Sequence, residues 1–151
     1  MIVEKLLNPE KAGGFTYHVK IKAEDLTETT ANTAQTIELI TVEQGSVVQC
    51  VAYNLTDAFE DASDNAFNST TMIIGDGSST SRFMASKELN ANGTEILGWS
   101  DTNSVNTFPY VYLAADTIDA VIGSMAAKSL SNIDTGEVDI LLNVVNIADY
   151  S

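Results

Sequence analysis

Histidine occurs once in this chain, at position 18, and cysteine once, at position 50. The side chains that most often serve as general bases, nucleophiles and metal ligands are therefore nearly missing. His18 sits with Thr16 and Lys20 on the polar face of an alternating stretch, the setting of a surface histidine rather than a catalytic one. Cys50 lies inside an apolar run, SVVQCVAYNL. With no second cysteine it can form neither an internal disulfide nor a thiolate metal site, and it reads as an inert buried thiol. Serine is plentiful, but no G-x-S-x-G elbow occurs. Gly75-Asp76-Gly77 is followed by no GK[ST] and stands in no β–α unit, so it reads as a tight turn and not a phosphate loop. Asp57, Glu60, Asp61 and Asp64 could hold calcium together with backbone carbonyls, yet they lack the D-x-[DN]-x-[DN]-G spacing of a calcium loop. No catalytic, cofactor-binding or metal-binding residue is assigned, and no enzymatic activity is expected.

The patterns that organise the chain are those of strands. Residues 136–147, GEVDILLNVVNI, follow a run of turn formers. Val138, Ile140, Leu142 and Val144 recur at every second position, and Leu141, Val145 and Ile147 make the other face half apolar. This predicts a central strand covered on both sides. Phe15, Tyr17, Val19 and Ile21 alternate with Thr16, His18, Lys20 and Lys22, a half-buried strand. Ser46 to Leu55 predicts another, with Val47, Val51, Tyr53 and Leu55 on one face and Val48, Cys50 and Ala52 on the other. Shorter strands are expected over Gln35–Ile40, Thr71–Ile74, Phe108–Leu113 and Thr117–Gly123. Thr56 to Thr70 reads as an acidic loop anchored by Phe59 and Phe67. Arg82 to Asn90 reads as a short helix with Phe83, Met84 and Leu89 inward, and Ala126 to Asn132 as a helical turn. Seven or eight short strands between turn signals predict an all-β chain: an antiparallel β-sandwich or jelly roll with one or two short helices. The expected organisation is an N-terminal arm, residues 1–14, and one sandwich domain, residues 15–151.

A chain of 151 residues can bury a core without disulfides or metal. Its longest apolar runs fall far short of the ~18 residues of a membrane span. The start, MIVEKLLNPEK, carries an acidic residue where a signal peptide needs a basic one and has no long apolar stretch. The expectation is a chain made and kept in a cytoplasm. The formal net charge is −14, which repels nucleic acid rather than binding it. That charge is uneven. Lys5, Lys11, Lys20 and Lys22 face only Glu4 and Glu10 in the first 22 residues, so this part is about +2 and the remainder about −16. A basic, partly apolar arm is thus a candidate docking element, and Ile2, Val3, Lys5, Leu6, Leu7 and Lys11 are its candidate contact residues. The alternative is that the same residues simply form an edge strand of their own sandwich.

Four stretches together carry a resemblance: ANTAQTIEL, TTMIIGDGSSTSRFMASKELNANG, ADTIDAVIGSM and LSNIDTGEVDILLNVVNI. Over Ala31 to Ile147 the chain resembles the small decoration, or cement, proteins of tailed-bacteriophage heads. The most telling parts are IIGDG followed by FMAS, and DTGEVDILLNVVN. The resemblance implies a structural virion protein that binds the outer surface of the capsid and stabilises the shell. Its partners would be the major capsid protein and further copies of itself, a trimer ahead of a dimer. It would be made in the bacterial cytoplasm. The alternative is a carbohydrate- or receptor-binding sandwich of a virion fibre, with Trp99, Phe108, Tyr110 and Tyr112 as a stacking platform. The last three could equally be core.

Overall fold

A computed structural model of the chain describes residues 1–7, 14–90, 97–99 and 108–150. The strands are β1 (Ile2–Lys5), β2 (Tyr17–Lys22), β3 (Gln35–Val42), β4 (Ser46–Glu60), β5 (Thr71–Asp76), β6 (Met84–Glu88), β7 (Leu97–Trp99), β8 (Tyr110–Val111), β9 (Asp116–Gly123) and β10 (Thr135–Asn146). They form two antiparallel sheets that pack face to face as a β-sandwich. One sheet runs β1-β2-β10-β4-β7, with β8 also paired to β4; the other runs β3-β9-β5-β6.

β10 is the central strand that its alternation predicts. It pairs with β2 on one side and β4 on the other, so apolar residues line up in rows across three strands. Ile21, Val138 and Leu55 form one row; Val19, Ile140 and Tyr53 the next; Tyr17, Leu142 and Val51 a third. Val138, Ile140 and Leu142 are fully buried, and burying each such side chain is worth about 1.5–3 kcal/mol. The opposite face of β10 is only half covered, with Leu141, Asn143 and Val145 partly exposed. In the second sheet Ile118, Ala120 and Ile122 of β9 point inward at every second position. Ile118, Val121, Ile122 and Met125 also stand at helical spacing, but pairing with β3 and β5 makes 116–123 a strand.

The structure departs from sequence expectation where pairing, not periodicity, decides. β4 runs on to Glu60, so the first part of the expected acidic loop is strand, and Phe59 is completely buried. A bulge opposite Asn143 and Val144 of β10 inserts one extra residue in β4 near Gln49. Such a bulge inverts the alternation beyond it. Val48, rather than Val47, therefore joins Val51, Tyr53 and Leu55 in the core. The expected helix over Arg82–Asn90 is instead β6. The Phe83 N–H donates to the Ile74 carbonyl at 2.9 Å, and Met84 pairs with Ile74. A helix there would leave the backbone of β5 unpaired on that side, which the buried sheet does not permit. Phe83, Met84 and Leu89 are nonetheless all buried. The helical segments are three short 3-10 turns, Ala23–Asp25, Leu130–Asn132 and Ile147–Tyr150; among the described residues there is no α-helix.

Candidate functional site

The candidate arm splits. Ile2 to Lys5 are β1, an edge strand paired antiparallel to β2 in the register Ile2 to Lys20, Val3 to Val19, Glu4 to His18 and Lys5 to Tyr17. The Leu6 N–H continues the ladder, donating to the Thr16 carbonyl at 2.8 Å. In an antiparallel pair alternate residues direct their backbone groups toward the partner. Here these are Ile2, Glu4 and Leu6. The N–H and C=O of Val3 and Lys5 therefore point to the free side, where β1 has no strand neighbour among the described residues. All four residues of β1 are exposed, with Ile2 at 49% and Val3 at 44%, and Leu7 beyond them reaches 89%. An open edge with apolar side chains is a ready template for another strand. Leu6 is half-buried. Lys11 lies outside the described residues.

The positive charge of the first 22 residues does not act as one patch. Lys20 donates to Glu137 and lies 3.4 Å from Asp139, both on β10. That hydrogen bond holds the Lys20 ammonium above its ordinary pKa and the Glu137 carboxyl below its own. His18 Nε2 meets Asp139 at 2.6 Å, and its Nδ1 lies 3.6 Å from Glu4 of β1. These groups tie β1, β2 and β10 together on the outer face of the sheet. Lys5, by contrast, has no ion-pair partner among the described residues. The docking chemistry of the edge is thus backbone hydrogen bonding, apolar side chains and one unpaired cation.

The aromatic platform of the alternative reading is mostly taken up inside the protein. Tyr112 is 3% exposed, and Phe108 and Tyr110 pack against the core. Phe83 lies 5.8 Å from both Phe108 and Tyr110, and Tyr110 meets Tyr112 edge-on at 5.1 Å. The Arg82 guanidinium covers the Tyr110 ring at 4.3 Å. The side chain of Trp99 lies outside the described residues. Two of the acidic group, Asp61 and Asp64, are likewise committed. Asp61 Oδ1 accepts from the Ser63 N–H and hydroxyl. Asp64 accepts from the Ala66 N–H and pairs with Lys128, which holds its carboxyl below the ordinary range. Among the described residues no three His, Cys, Asp or Glu side chains are placed to share a metal ion. Cys50 is partly buried, and that burial raises its thiol pKa, which suppresses the reactive thiolate.

One surface escapes a reading of the sequence. Beyond the N-terminal residues, the exposed large apolar residues among those described are Val111, Leu113 and Ile147, and folding gathers them at one end of the β4 edge. Val111 pairs with Val47, and Val47 with Val145. Gly45 then links the neighbouring ends, donating its N–H to the Tyr112 carbonyl and accepting from the Ile147 N–H. The run YVYL hints that Val111 and Leu113 share a face, but their meeting with Ile147 depends on pairings far apart in sequence. Comparison with family models, curated proteins and solved structures finds no match to this chain.

Proposed function

We propose that this sandwich is a jelly roll and that the chain is a decoration protein of a tailed-phage head. It binds the major capsid protein on the outer surface of the shell and stabilises it as a homo-oligomer. The observation that carries the reading is the strand order. With β1 set aside, one sheet reads β2-β10-β4 with β7 and β8, and it faces β3-β9-β5-β6. The chain crosses between sheets at nearly every connection, with β5–β6 and β7–β8 as the steps that stay within one sheet. With β7 and β8, which pair with successive parts of β4, counted as one strand, that interleaving supports the reading as an eight-stranded jelly roll, an architecture recurrent in viral shells. β1 is then an addition to the roll, and its open apolar edge supplies a docking element. The strong acidity suits the outside of a shell, away from packaged DNA. The resemblance of IIGDG…FMAS and DTGEVDILLNVVN to head-decoration proteins agrees with this reading.

The test is co-sedimentation of the purified chain with undecorated heads built from the major capsid protein of the same genome. The full chain is expected to bind saturably, at a fixed number of copies per capsid subunit. Val3→Asp, with unchanged circular dichroism, is expected to bind about tenfold more weakly, the effect of losing roughly one hot-spot contact. Saturable binding by neither protein would sink the capsid reading. Equal binding by both would remove β1 from the capsid contact.

A further inference from the structure

We infer that protonation of His18 clips β1 to the rest of its sheet, so that this edge strand is held more firmly as pH falls and more loosely as it rises. The inference concerns how β1 is held and stands apart from the capsid reading. The imidazole lies between two carboxylates on different strands. Its Nε2 is 2.6 Å from Asp139 Oδ1 of β10, and its Nδ1 is 3.6 Å from Glu4 Oε2 of β1. A neutral imidazole carries one N–H and can serve only one of them. With the proton on Nε2, where the contact is short, the Nδ1 lone pair faces the Glu4 carboxylate with no proton between them. With the proton on Nδ1, a lone pair meets Asp139 instead. The imidazolium presents an N–H to both sides, so it is the form that joins β1 to β10 through β2.

Register places this contact where it acts on β1. Glu4 stands directly opposite His18 on the β1–β2 ladder, and Asp139 stands opposite the next outward residue of β2, Lys20. Among the described residues the charged groups that face His18 are therefore Glu4 from β1, Lys20 from its own strand and Asp139 from β10. Lys20 lies 3.4 Å from Asp139 and is also taken by Glu137. Glu137 holds the Lys20 ammonium above its ordinary pKa, so its hold on β10 does not change in the range where histidines titrate. Beyond the backbone ladder and the Glu4 contact, the ion pair that holds β1 is that of the Met1 ammonium with Asp25. All four residues of the strand are exposed, and a strand with so little burial opens locally at low cost. One added charge pair is thus a sizeable share of what holds it. The Glu4 side chain is 59% exposed, so solvent screening limits the gain to that of a surface ion pair.

The test is amide hydrogen exchange followed by NMR at pH 7.0 and 5.5, on the full chain and on its Glu4→Gln and His18→Gln variants. Protection factors, which remove the intrinsic pH dependence of exchange, are compared for the Glu4 and Leu6 N–H groups, which face β2, and for the amides of β9 in the other sheet. In the wild type the β1 factors are expected to rise about threefold relative to those of β9 on going to pH 5.5, the effect of one exposed ion pair. In Glu4→Gln the imidazolium still meets Asp139 but has no charge to hold on β1, and the rise is expected to vanish. It is expected to vanish in His18→Gln as well. The Met1 ammonium remains in both variants, so its own titration cannot produce that difference. A wild-type ratio that does not change between the two pH values, or a rise that persists in either variant, would overturn the clip.

Discussion

Gly75→Ala is expected to destabilise the chain by about 3 kcal/mol or more, near the severe end of single substitutions. A Cβ at this position would lie 2.1 Å from the Ser79 carbonyl oxygen and 2.4 Å from the Thr80 carbonyl carbon. Both are backbone atoms, and the first cannot yield. The Ser79 carbonyl accepts from the Asp76 N–H at 3.0 Å and from the Arg82 N–H at 3.1 Å. That turn delivers Arg82 to Asp76 and starts the segment that buries Phe83 and Met84. In a domain of this size the loss corresponds to a fall in Tm of roughly 6–12 °C. Gly77→Ala is the control: its Cβ would meet only the Asp116 carboxylate, at 3.4 Å. Urea unfolding of the two variants checks this. A Gly75→Ala midpoint equal to that of Gly77→Ala would show that the turn is not packed as described.

Asp76→Asn is expected to cost about 2–3 kcal/mol near neutral pH, the range for losing hydrogen bonds to a charged group. The Asp76 carboxylate is 1% exposed. It accepts from the Ser78 and Ser79 N–H groups at 3.0 and 2.8 Å, from Arg82 Nε and, at 3.2 Å, Arg82 Nη2, and from the Tyr112 hydroxyl at 3.3 Å. Burial is the largest single influence and acts to raise its pKa. The Arg82 guanidinium and the two backbone N–H groups together outweigh it, so the carboxyl titrates below its ordinary value. Burial and the neighbouring Asp76 push the Tyr112 phenol far the other way. Because the folded pKa is depressed, the stabilisation is fully present above the unfolded value of about 3.9 and is lost as pH falls through the folded one. Stability measured from pH 7 down through this window is expected to fall less steeply in Asp76→Asn than in the wild type. Parallel curves would mean that Asp76 contributes nothing to acid unfolding.

These two residues also show what could be read in advance. The expected tight turn at Gly75-Asp76-Gly77 begins later than local chemistry suggests: Gly75 and Asp76 still pair with Asp119 and Ile118 as the end of β5, and the turn runs from Asp76 to Ser79. That Asp76 is a buried anion clamped by Arg82 is not legible, since burial comes from Tyr112 and the opposing strands. The same division holds across the fold. Strand β10, with alternation sustained over many residues, declares both its type and its central place, and β2 and β9 declare their inner faces. Val47 and Val48 exchange faces because a bulge is set by pairing with β10, which local periodicity cannot report. Arg82–Asn90 has apolar residues at spacings that fit neither period, and the unpaired edge of β5 decides for a strand. At the candidate site, the alternative reading of Ile2, Val3 and Lys5 as an edge strand of their own sandwich is the one the pairing with β2 shows. The division of the lysines was not legible: Lys20 is neutralised by Glu137 and Asp139, more than a hundred positions away, so only part of the apparent basic arm remains for a partner. The run YVYL hints that Val111 and Leu113 share a face, but only long-range pairing brings Ile147 to them.

The central claim is that this chain stabilises a viral shell from outside. Its most direct test is the temperature at which DNA-filled heads lose their contents, followed by dye access with and without the bound chain at saturating occupancy. Binding to the intact shell and not to its disassembled subunits must raise that temperature by mass action. The account predicts a rise that saturates with occupancy and is lost with Val3→Asp. Heads that release their DNA at the same temperature with the chain fully bound would contradict it.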